Sequence, residues 1–281
     1  MQAPEPAAFG PYDLGCTTVY ASRRDPRFAY CLYVPPDFRT AARAPELVVT
    51  VHGSPRTFMD FRDRFQSLGA DHNAVILSPL FPVGVNGDGN GDGYKQLREP
   101  GVHYDELLLD LVDEVTQRYG VQSERFALFG YSGGAQFANR FLLLRPQRLW
   151  AAAIAAPGSV TLLDSSRDWW VGTRDVEQRF GRRVDLDALR RVAVQIVVGG
   201  ADLDTVEITH REGGRHWMAG ANGAGATRPQ RAAALQASLA AAGVDAVLEV
   251  LLGVAHDAVP AIDCARSFLA ASLAERRRRQ G

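Results

Sequence analysis

The chain has 281 residues, of which 46% are hydrophobic and 22% charged, with 31 basic and 32 acidic side chains and a formal net charge of -1. This composition is typical of a globular protein, and the balanced charge argues against a nucleic-acid partner, which usually requires a basic surface. No stretch approaches the roughly 20 apolar residues of a membrane-spanning helix, so we expect no membrane partner. The start, MQAPEPAAFGPYDLG, lacks the basic and apolar regions of a signal peptide, which predicts a cytoplasmic protein.

Short runs of β-forming residues alternate along the chain with amphipathic segments. The predicted strands are residues 28–35, 46–51, 74–80, 125–130, 149–156, 192–200 and 246–253. The predicted helices are residues 59–70, 104–119, 134–144, 229–242 and a last helix that ends in ERRRR. Nearly continuous apolar strands separated by helices predict the α/β class, with a mostly parallel, doubly wound sheet that is buried on both faces.

One stretch interrupts this alternation. Residues 158–191 contain DSSRDWWVGTRDVEQRFGRR, which is polar, charged and aromatic. Such a composition fits an excursion over the sheet better than a part of the sheet. We therefore expect a single domain over residues 1–281, with a lid inserted at 158–191.

The sharpest local signal is the segment Gly130-Tyr131-Ser132-Gly133-Gly134, a GxSxG pattern between a predicted strand and a predicted helix. The pattern alone is weak, but in this context it is typical of a nucleophile elbow. Glycines are needed there because the serine lies on a strained turn, where larger neighbours would collide with the strand and the helix. The alternative is a glycine-rich turn without chemistry.

A serine hydroxyl is a poor nucleophile until a base removes its proton, and the base needs an acid that fixes its tautomer. Asp202 and His256 each follow a predicted strand, so we expect both at the edge where the carboxyl ends of strands meet a ligand crevice. Ser132, Asp202 and His256 thus occur in the order nucleophile, acid, base. Asp204 is the alternative acid, and Asp202 is preferred because it lies nearer the end of the strand.

With these motifs the chain resembles the α/β-hydrolase family from about residue 28 to residue 273. The resemblance implies the α/β-hydrolase fold and a serine esterase that needs neither a cofactor nor a metal. Its layout is most similar to small esterases of the poly(hydroxyalkanoate)-depolymerase-like and feruloyl-esterase-like group. The same three residue types also serve amidases, lactonases and carbon–carbon hydrolases, and a non-catalytic binding protein on the same scaffold is a further alternative.

In this family an oxyanion hole is formed by two backbone N–H groups. The resemblance places the first on Gly133, the residue after the nucleophile, and the second on the loop His52-Gly53-Ser54-Pro55. Ser54 is the preferred second donor, and His52 is expected to brace the loop. The loop has a single glycine where many lipases and esterases have HGGG, so the choice of the second donor stays open.

Aromatic side chains are the candidates for a substrate pocket, since such pockets are mainly apolar. Tyr131 is next to the nucleophile, and Trp169 and Trp170 lie in the predicted lid. If the lid covers the serine, these rings favour a small-molecule ester with an aromatic or bulky apolar part. His210 and His216, after the acid, are further candidates for substrate contact. The oligomeric state stays open.

The segment from Asp88 to Glu99 matches the calcium-loop pattern D-x-[DN]-x-[DN]-G-x5-E. Two features argue against calcium: no helix is predicted before the segment, and position eight, usually apolar, is Lys95. An ordinary loop rich in Asn, Asp and Gly explains the same composition. A calcium-regulated hydrolase is therefore only an alternative, and the expected site has no metal.

Overall fold

A computed structural model of the chain describes residues 9–280. The strands are β1 (Gly15–Cys16), β2 (Tyr20–Ala21), β3 (Ala29–Val34), β4 (Glu46–Val51), β5 (Ala74–Leu80), β6 (Arg98–Glu99), β7 (Val102–His103), β8 (Gln122–Tyr131), β9 (Leu149–Ala155), β10 (Ala193–Gly199) and β11 (Ala246–Leu251). The helices are α1 (Phe58–Arg64), α2 (Gln66–Asp71), α3 (Tyr104–Tyr119), α4 (Gly133–Leu144), α5 (Val176–Phe180), α6 (Leu186–Leu189), α7 (Arg228–Ala241) and α8 (Ala258–Gln280). Residues 1–8 and residue 281 lie outside the described residues. The expectation about a signal peptide rests largely on residues 1–8.

Nine strands form one sheet in the order β1-β3-β5-β4-β8-β9-β10-β11, and β2 pairs with β3 at one side. The six strands from β5 to β11 in this order run parallel, and β1, β2 and β3 add antiparallel pairs. The predicted α/β class with a mostly parallel sheet is confirmed. In the parallel part, the carboxyl ends of all strands lie at the same edge, so the loops that follow them gather there.

Helices cover both faces of the sheet because side chains along its strands alternate between two hydrophobic clusters. In β8, Phe126 and Leu128 belong to the cluster under α3, α4 and α7, whereas Ala127 and Phe129 belong to the cluster under α1, α2 and α8. All four side chains are fully buried. Burying a side chain of the size of Leu or Phe contributes about 1.5–3 kcal/mol, so this central strand anchors both layers.

The predicted helix 59–70 is divided in the structure into α1 and α2, with the break at Phe65. The backbone at Phe65 has φ −95° and ψ 0°, and its N–H is shared between the carbonyl oxygens of Phe61 and Arg62. The local turn lets the Phe65 ring bury fully against Phe129, with ring centroids 5.0 Å apart. Packing against the sheet therefore outweighs the regular helical pattern of the sequence.

Residues 158–191 contain the short helices α5 and α6 and pack their aromatic residues inward. Trp169 and Trp170 are each 6% exposed and belong to the main hydrophobic cluster. Thr161 Oγ1 donates a hydrogen bond to the carbonyl oxygen of Trp170, which fixes this part of the segment against α4 through Asn139. The segment is thus part of the packed body, and its action as a lid stays a prediction.

Helix α8 is the longest helix and closes one face of the sheet. Its basic end is held by the body, because Arg276 Nε lies 3.3 Å from Glu46 Oε1 of β4 and Arg277 donates to the carbonyl oxygen of His72. Within residues 9–280, no helix is long and apolar enough to cross a membrane. The cytoplasmic location stays a prediction.

Candidate active site

Ser132 lies on a strained turn between β8 and α4. Its φ of 52° and ψ of −108° are rare for a residue with a side chain. The strand and the helix approach each other so closely that a Cβ on Gly130 would lie 2.0 Å from the carbonyl oxygen of Gly134. A Cβ on Gly134 would likewise lie 2.2 Å from the carbonyl oxygen of Val51. Only glycine fits at these two positions, and the turn projects the serine from the edge of the sheet.

The structure brings Ser132, His256 and Asp202 into hydrogen-bond contact. His256 Nε2 lies 3.2 Å from Ser132 Oγ, and His256 Nδ1 lies 2.6 Å from Asp202 Oδ2. Asp202 is 2% exposed. Asp204 instead accepts a hydrogen bond from the N–H of Val206 in its own loop, so it is Asp202 that contacts the histidine. These contacts are those that general-base activation of a serine hydroxyl requires.

Backbone hydrogen bonds hold the acid and the histidine in place. Asp202 follows β10 and His256 follows β11, the neighbouring strand of the sheet. The N–H of Gly200 donates to the carbonyl oxygen of Leu251, and the N–H of Ala201 donates to that of Val254, both at 2.8 Å. The sheet hydrogen bonding therefore continues past the strand ends and fixes the two loops against each other.

A buried arginine that no motif of the sequence indicates completes the surroundings of Asp202. Arg228 is 2% exposed, and its Nη1 donates to Asp202 Oδ1 at 2.9 Å. Its Nη2 donates to Glu207 Oε2 at 3.0 Å. Arg228 is the first residue of α7, whose start is fixed by a capping box between Thr227 and Gln230. The sequence indicates this helix start, but nothing local connects Arg228 with Asp202.

The loop after β4 is braced by His52, as expected. The His52 ring is fully buried; its Nδ1 lies 2.7 Å from the carbonyl oxygen of Gly53, and its Nε2 lies 3.0 Å from the N–H of Phe81. A carbonyl must accept and an N–H must donate, so Nδ1 carries the proton and the ring is neutral. Burial lowers the pKa of His52 to about 4, which keeps this arrangement at neutral pH.

A cavity of about 590 Å³ opens at the serine, and we call it the serine cavity. Its wall includes Ser54, Lys95, Tyr131, Ser132, Glu207 and His256. The Tyr131 ring stacks on the His256 ring with centroids 5.0 Å apart, so the predicted aromatic neighbour lies beside the predicted base. Gly133 begins α4 directly after the serine. Tyr131, Ser54 and Gly133 are therefore near the serine, and their roles stay predictions.

Trp169 and Trp170 do not reach the serine cavity, which corrects the expectation that they wall the pocket at Ser132. Both rings line a second cavity of about 470 Å³, which we call the tryptophan cavity. The physical reason is packing: Trp170 Nε1 donates to the carbonyl oxygen of His216 at 3.0 Å, and Arg140 lies over its ring at 5.1 Å.

The two candidate histidines after the acid also lie away from the serine. The His210 ring packs against the Trp170 ring with centroids 4.6 Å apart, and His216 lines the tryptophan cavity. Burial lowers the pKa of His210 to about 4 and also lowers the pKa of His216. Neither residue lines the serine cavity among the described residues.

The side chains of the segment from Asp88 to Glu99 have protein partners instead of converging on a metal. Asp88 pairs with Arg215, Asp92 pairs with Lys95, and Glu99 accepts hydrogen bonds from Asn90 and Tyr104. Within the part of the chain that the structure describes, no group of three or more His, Cys, Asp or Glu side chains is placed to hold a metal ion.

Solved structures share this architecture. The poly(3-hydroxybutyrate) depolymerase LpqC from Bordetella parapertussis has a TM-score of 0.67 and 22% identity, covering 88% of this chain and 87% of its own. The poly(aspartic acid) hydrolase-1 from Sphingomonas sp. KT-1 has a TM-score of 0.65 and 18% identity, covering 85% and 92%. A ferulic acid esterase has a TM-score of 0.58 and 18% identity, covering 88% and 92%.

The chain has the α/β-hydrolase fold. The predicted fold is thereby confirmed, and the site described above lies where the strand ends of this fold meet. No protein-family model matches the chain, and a search of curated proteins finds no match. Within the α/β-hydrolase fold, function depends on the residues of the site and not on the fold itself.

The close approach at the elbow predicts a strong effect of a single methyl group. In Gly130→Ala, the new Cβ meets the backbone of Gly134, which cannot move without shifting α4. We expect the free energy of unfolding to fall by about 3 kcal/mol or more, measured by urea denaturation. The matched control is Gly53→Ala, whose Cβ has contacts no closer than 3.5 Å. Equal stability of both variants would contradict the described geometry.

The pairing of Asp202 and Arg228 predicts a contrast between two substitutions. Arg228→Met leaves the buried Asp202 carboxylate with one partner fewer, and we expect a loss of about 3 kcal/mol of unfolding free energy. Glu207→Gln removes the outer partner, whose side chain is 68% exposed, and we expect a loss below about 1 kcal/mol. Urea denaturation of both variants measures the difference, and a Glu207→Gln loss as large as that of Arg228→Met counts against this account.

The buried His52 predicts a pH dependence of stability. Between its folded pKa of about 4 and its ordinary value of 6.5, the unfolded chain binds a proton that the folded chain excludes. This stabilising contribution is present above pH 6.5 and is lost as the pH falls, by about 2 kcal/mol from pH 7 to pH 5. We expect unfolding free energies of His52→Gln to fall less steeply over this range. Parallel pH profiles of variant and wild type contradict the prediction.

Proposed function

We propose that the protein is a serine hydrolase that cleaves a carboxylic ester. The observation that carries this proposal is the continuous contact from Ser132 through His256 to Asp202, at 3.2 and 2.6 Å, with the serine on a strained elbow. The three residue types that a base-activated nucleophile requires are thus in contact, and two of them, Ser132 and His256, line the serine cavity.

In the proposed mechanism, Ser132 Oγ attacks the carbonyl carbon of the ester while His256 Nε2 accepts its proton. The negative charge that develops on the carbonyl oxygen is held by the backbone N–H groups of Gly133 and Ser54. His256 then donates the proton to the leaving alcohol, and an acyl group remains on the serine. Water hydrolyses the acyl-enzyme by the same sequence of proton transfers.

Asp202 holds the histidine in the tautomer that accepts a proton at Nε2 and stabilises the imidazolium that forms. In this proposal Arg228 is a positioning residue, because it contacts Asp202 and not the serine or the histidine. Its hydrogen bond to Oδ1 leaves Oδ2 directed at His256. No step of the mechanism calls for a metal or a cofactor.

The preference for an ester draws support from proteins of the same fold. Among the solved structures similar to this chain, one is named a ferulic acid esterase and another a poly(3-hydroxybutyrate) depolymerase. Hydrolysis of an amide, a lactone or a carbon–carbon bond stays the alternative, because the same three residues serve those reactions as well. Rates on matched ester and amide substrates distinguish these possibilities.

The nucleophile is tested by comparing the wild type with Ser132→Ala on p-nitrophenyl esters of short, long and aromatic acids. We expect kcat to fall by about 10⁴-fold or more, since the nucleophile and its base act as a unit. The matched control is Ser267→Ala on the exposed side of α8, for which we expect wild-type rates.

A fluorophosphonate probe provides a second measurement that does not depend on the choice of ester. We expect the probe to label the wild type and Ser267→Ala but not Ser132→Ala. Labelling of Ser132→Ala, or a wild type that neither hydrolyses any ester nor reacts with the probe, would overturn the proposed function.

A further inference from the structure

The tryptophan cavity has one aromatic wall that is open to a ligand. Trp217 is 40% exposed, an unusual exposure for so large an apolar side chain. The rings of Trp169 and Phe180 pack edge to face with centroids 4.9 Å apart and line the same cavity. Such a set of rings presents faces and edges on which a planar aromatic group can stack.

The other wall of the cavity is cationic. Arg98 of β6, Arg179 of α5 and Arg215 of the loop before α7 line the cavity, and its wall contains no Asp or Glu among the described residues. Three cations from separate segments of the chain therefore converge on one space. Their mutual repulsion disfavours this arrangement unless negative charges compensate it.

Carboxylates of the protein compensate only part of the positive charge that lines this cavity. Arg179 pairs with Asp175, and Arg215 Nη1 lies 2.9 Å from Asp88 Oδ2. Arg98 donates a hydrogen bond to the carbonyl oxygen of Arg179 and lies over the Phe180 ring at 5.8 Å. No salt bridge joins Arg98 to a carboxylate within residues 9–280, so one positive charge at the cavity stays available.

The tryptophan cavity is distinct from the serine cavity. The two share no lining residue, although neighbouring residues can line different cavities: Lys95 lines the serine cavity and Gln96 the tryptophan cavity. At about 470 Å³ the tryptophan cavity lies within the range of small-molecule sites. A ligand can therefore occupy it without contacting Ser132.

We propose that the tryptophan cavity is a second binding site, which takes a planar aromatic anion. The aromatic ring stacks on Trp217 beside Phe180, and the carboxylate or other anionic group of the ligand pairs with Arg98. Planar guanidinium groups suit a carboxylate because they donate two parallel hydrogen bonds. This inference goes beyond the proposed ester hydrolysis and does not rest on it.

The proposal is tested by calorimetric titration of the whole protein with 2-naphthoate. We expect saturable binding to one site with a Kd below the millimolar range, and affinity that weakens with added salt. The neutral 2-naphthamide and the non-aromatic cyclohexanecarboxylate are the matched control ligands, and we expect each to bind at least about tenfold more weakly. Absence of saturable binding, or equal affinity for all three compounds, would overturn the proposal.

Two variants locate the site. Arg98→Gln removes the charge and Trp217→Ala removes the exposed ring, and we expect each to weaken 2-naphthoate binding about tenfold. The matched control is Arg24→Gln, an exposed arginine that pairs with Asp110 elsewhere on the surface, for which we expect unchanged affinity. If Trp217→Ala does not fold, the affinity of Arg98→Gln for 2-naphthoate alone decides whether the ligand binds in the tryptophan cavity. Unchanged binding in Arg98→Gln places the ligand elsewhere and refutes the assignment.

The two proposals can fail separately. Titration of protein whose serine carries a fluorophosphonate group is expected to give the same affinity for 2-naphthoate, whereas loss of binding shows that the ligand occupies the serine cavity instead. If the protein neither reacts with the probe nor hydrolyses any ester, the proposed hydrolase function fails. The comparison of Arg98→Gln with Arg24→Gln on unlabelled protein still decides whether 2-naphthoate binds in the tryptophan cavity.

Discussion

The buried carboxylate of Asp202 is the point at which three segments of the chain meet. A charge at this depth is stable only when its oxygens have hydrogen-bond partners. One oxygen accepts from Arg228 at the start of α7, and the other contacts His256 after β11. The contacts that make the buried charge tolerable therefore also set the position of the histidine. Stability and the geometry of the site depend on the same carboxylate.

The parallel sheet supplies the frame for this arrangement. Val51 at the end of β4 lies opposite Gly130 near the end of β8, so the braced loop and the serine turn leave the sheet side by side. Gly199 at the end of β10 lies opposite Leu251 at the end of β11 in the same way. Two pairs of neighbouring strand ends thus carry the residues of the site, and a shift of register would separate them.

Much of this could be predicted from the sequence, because strand ends and glycine patterns are local signals. The glycines around Ser132 predict its turn, and the apolar strands before Asp202 and His256 predict that both residues lie at the edge of the sheet. Arg228 could not be found in this way, since its contact with Asp202 spans 26 residues and depends on how α7 packs. The position of the Trp169 side chain could not be predicted either, because a loop without periodicity does not indicate which cavity its side chains line. The break at Phe65 depends on sheet packing.

In the short turn at Lys95 and Gln96, two consecutive residues line different cavities, Lys95 the serine cavity and Gln96 the tryptophan cavity. Lys95 is tied to Asp92, and Asp88 in the same segment is tied to Arg215 on the far side. The segment between β5 and α3 therefore borders both cavities at a place where ion pairs already fix it, so that each cavity keeps its shape independently of what the other holds.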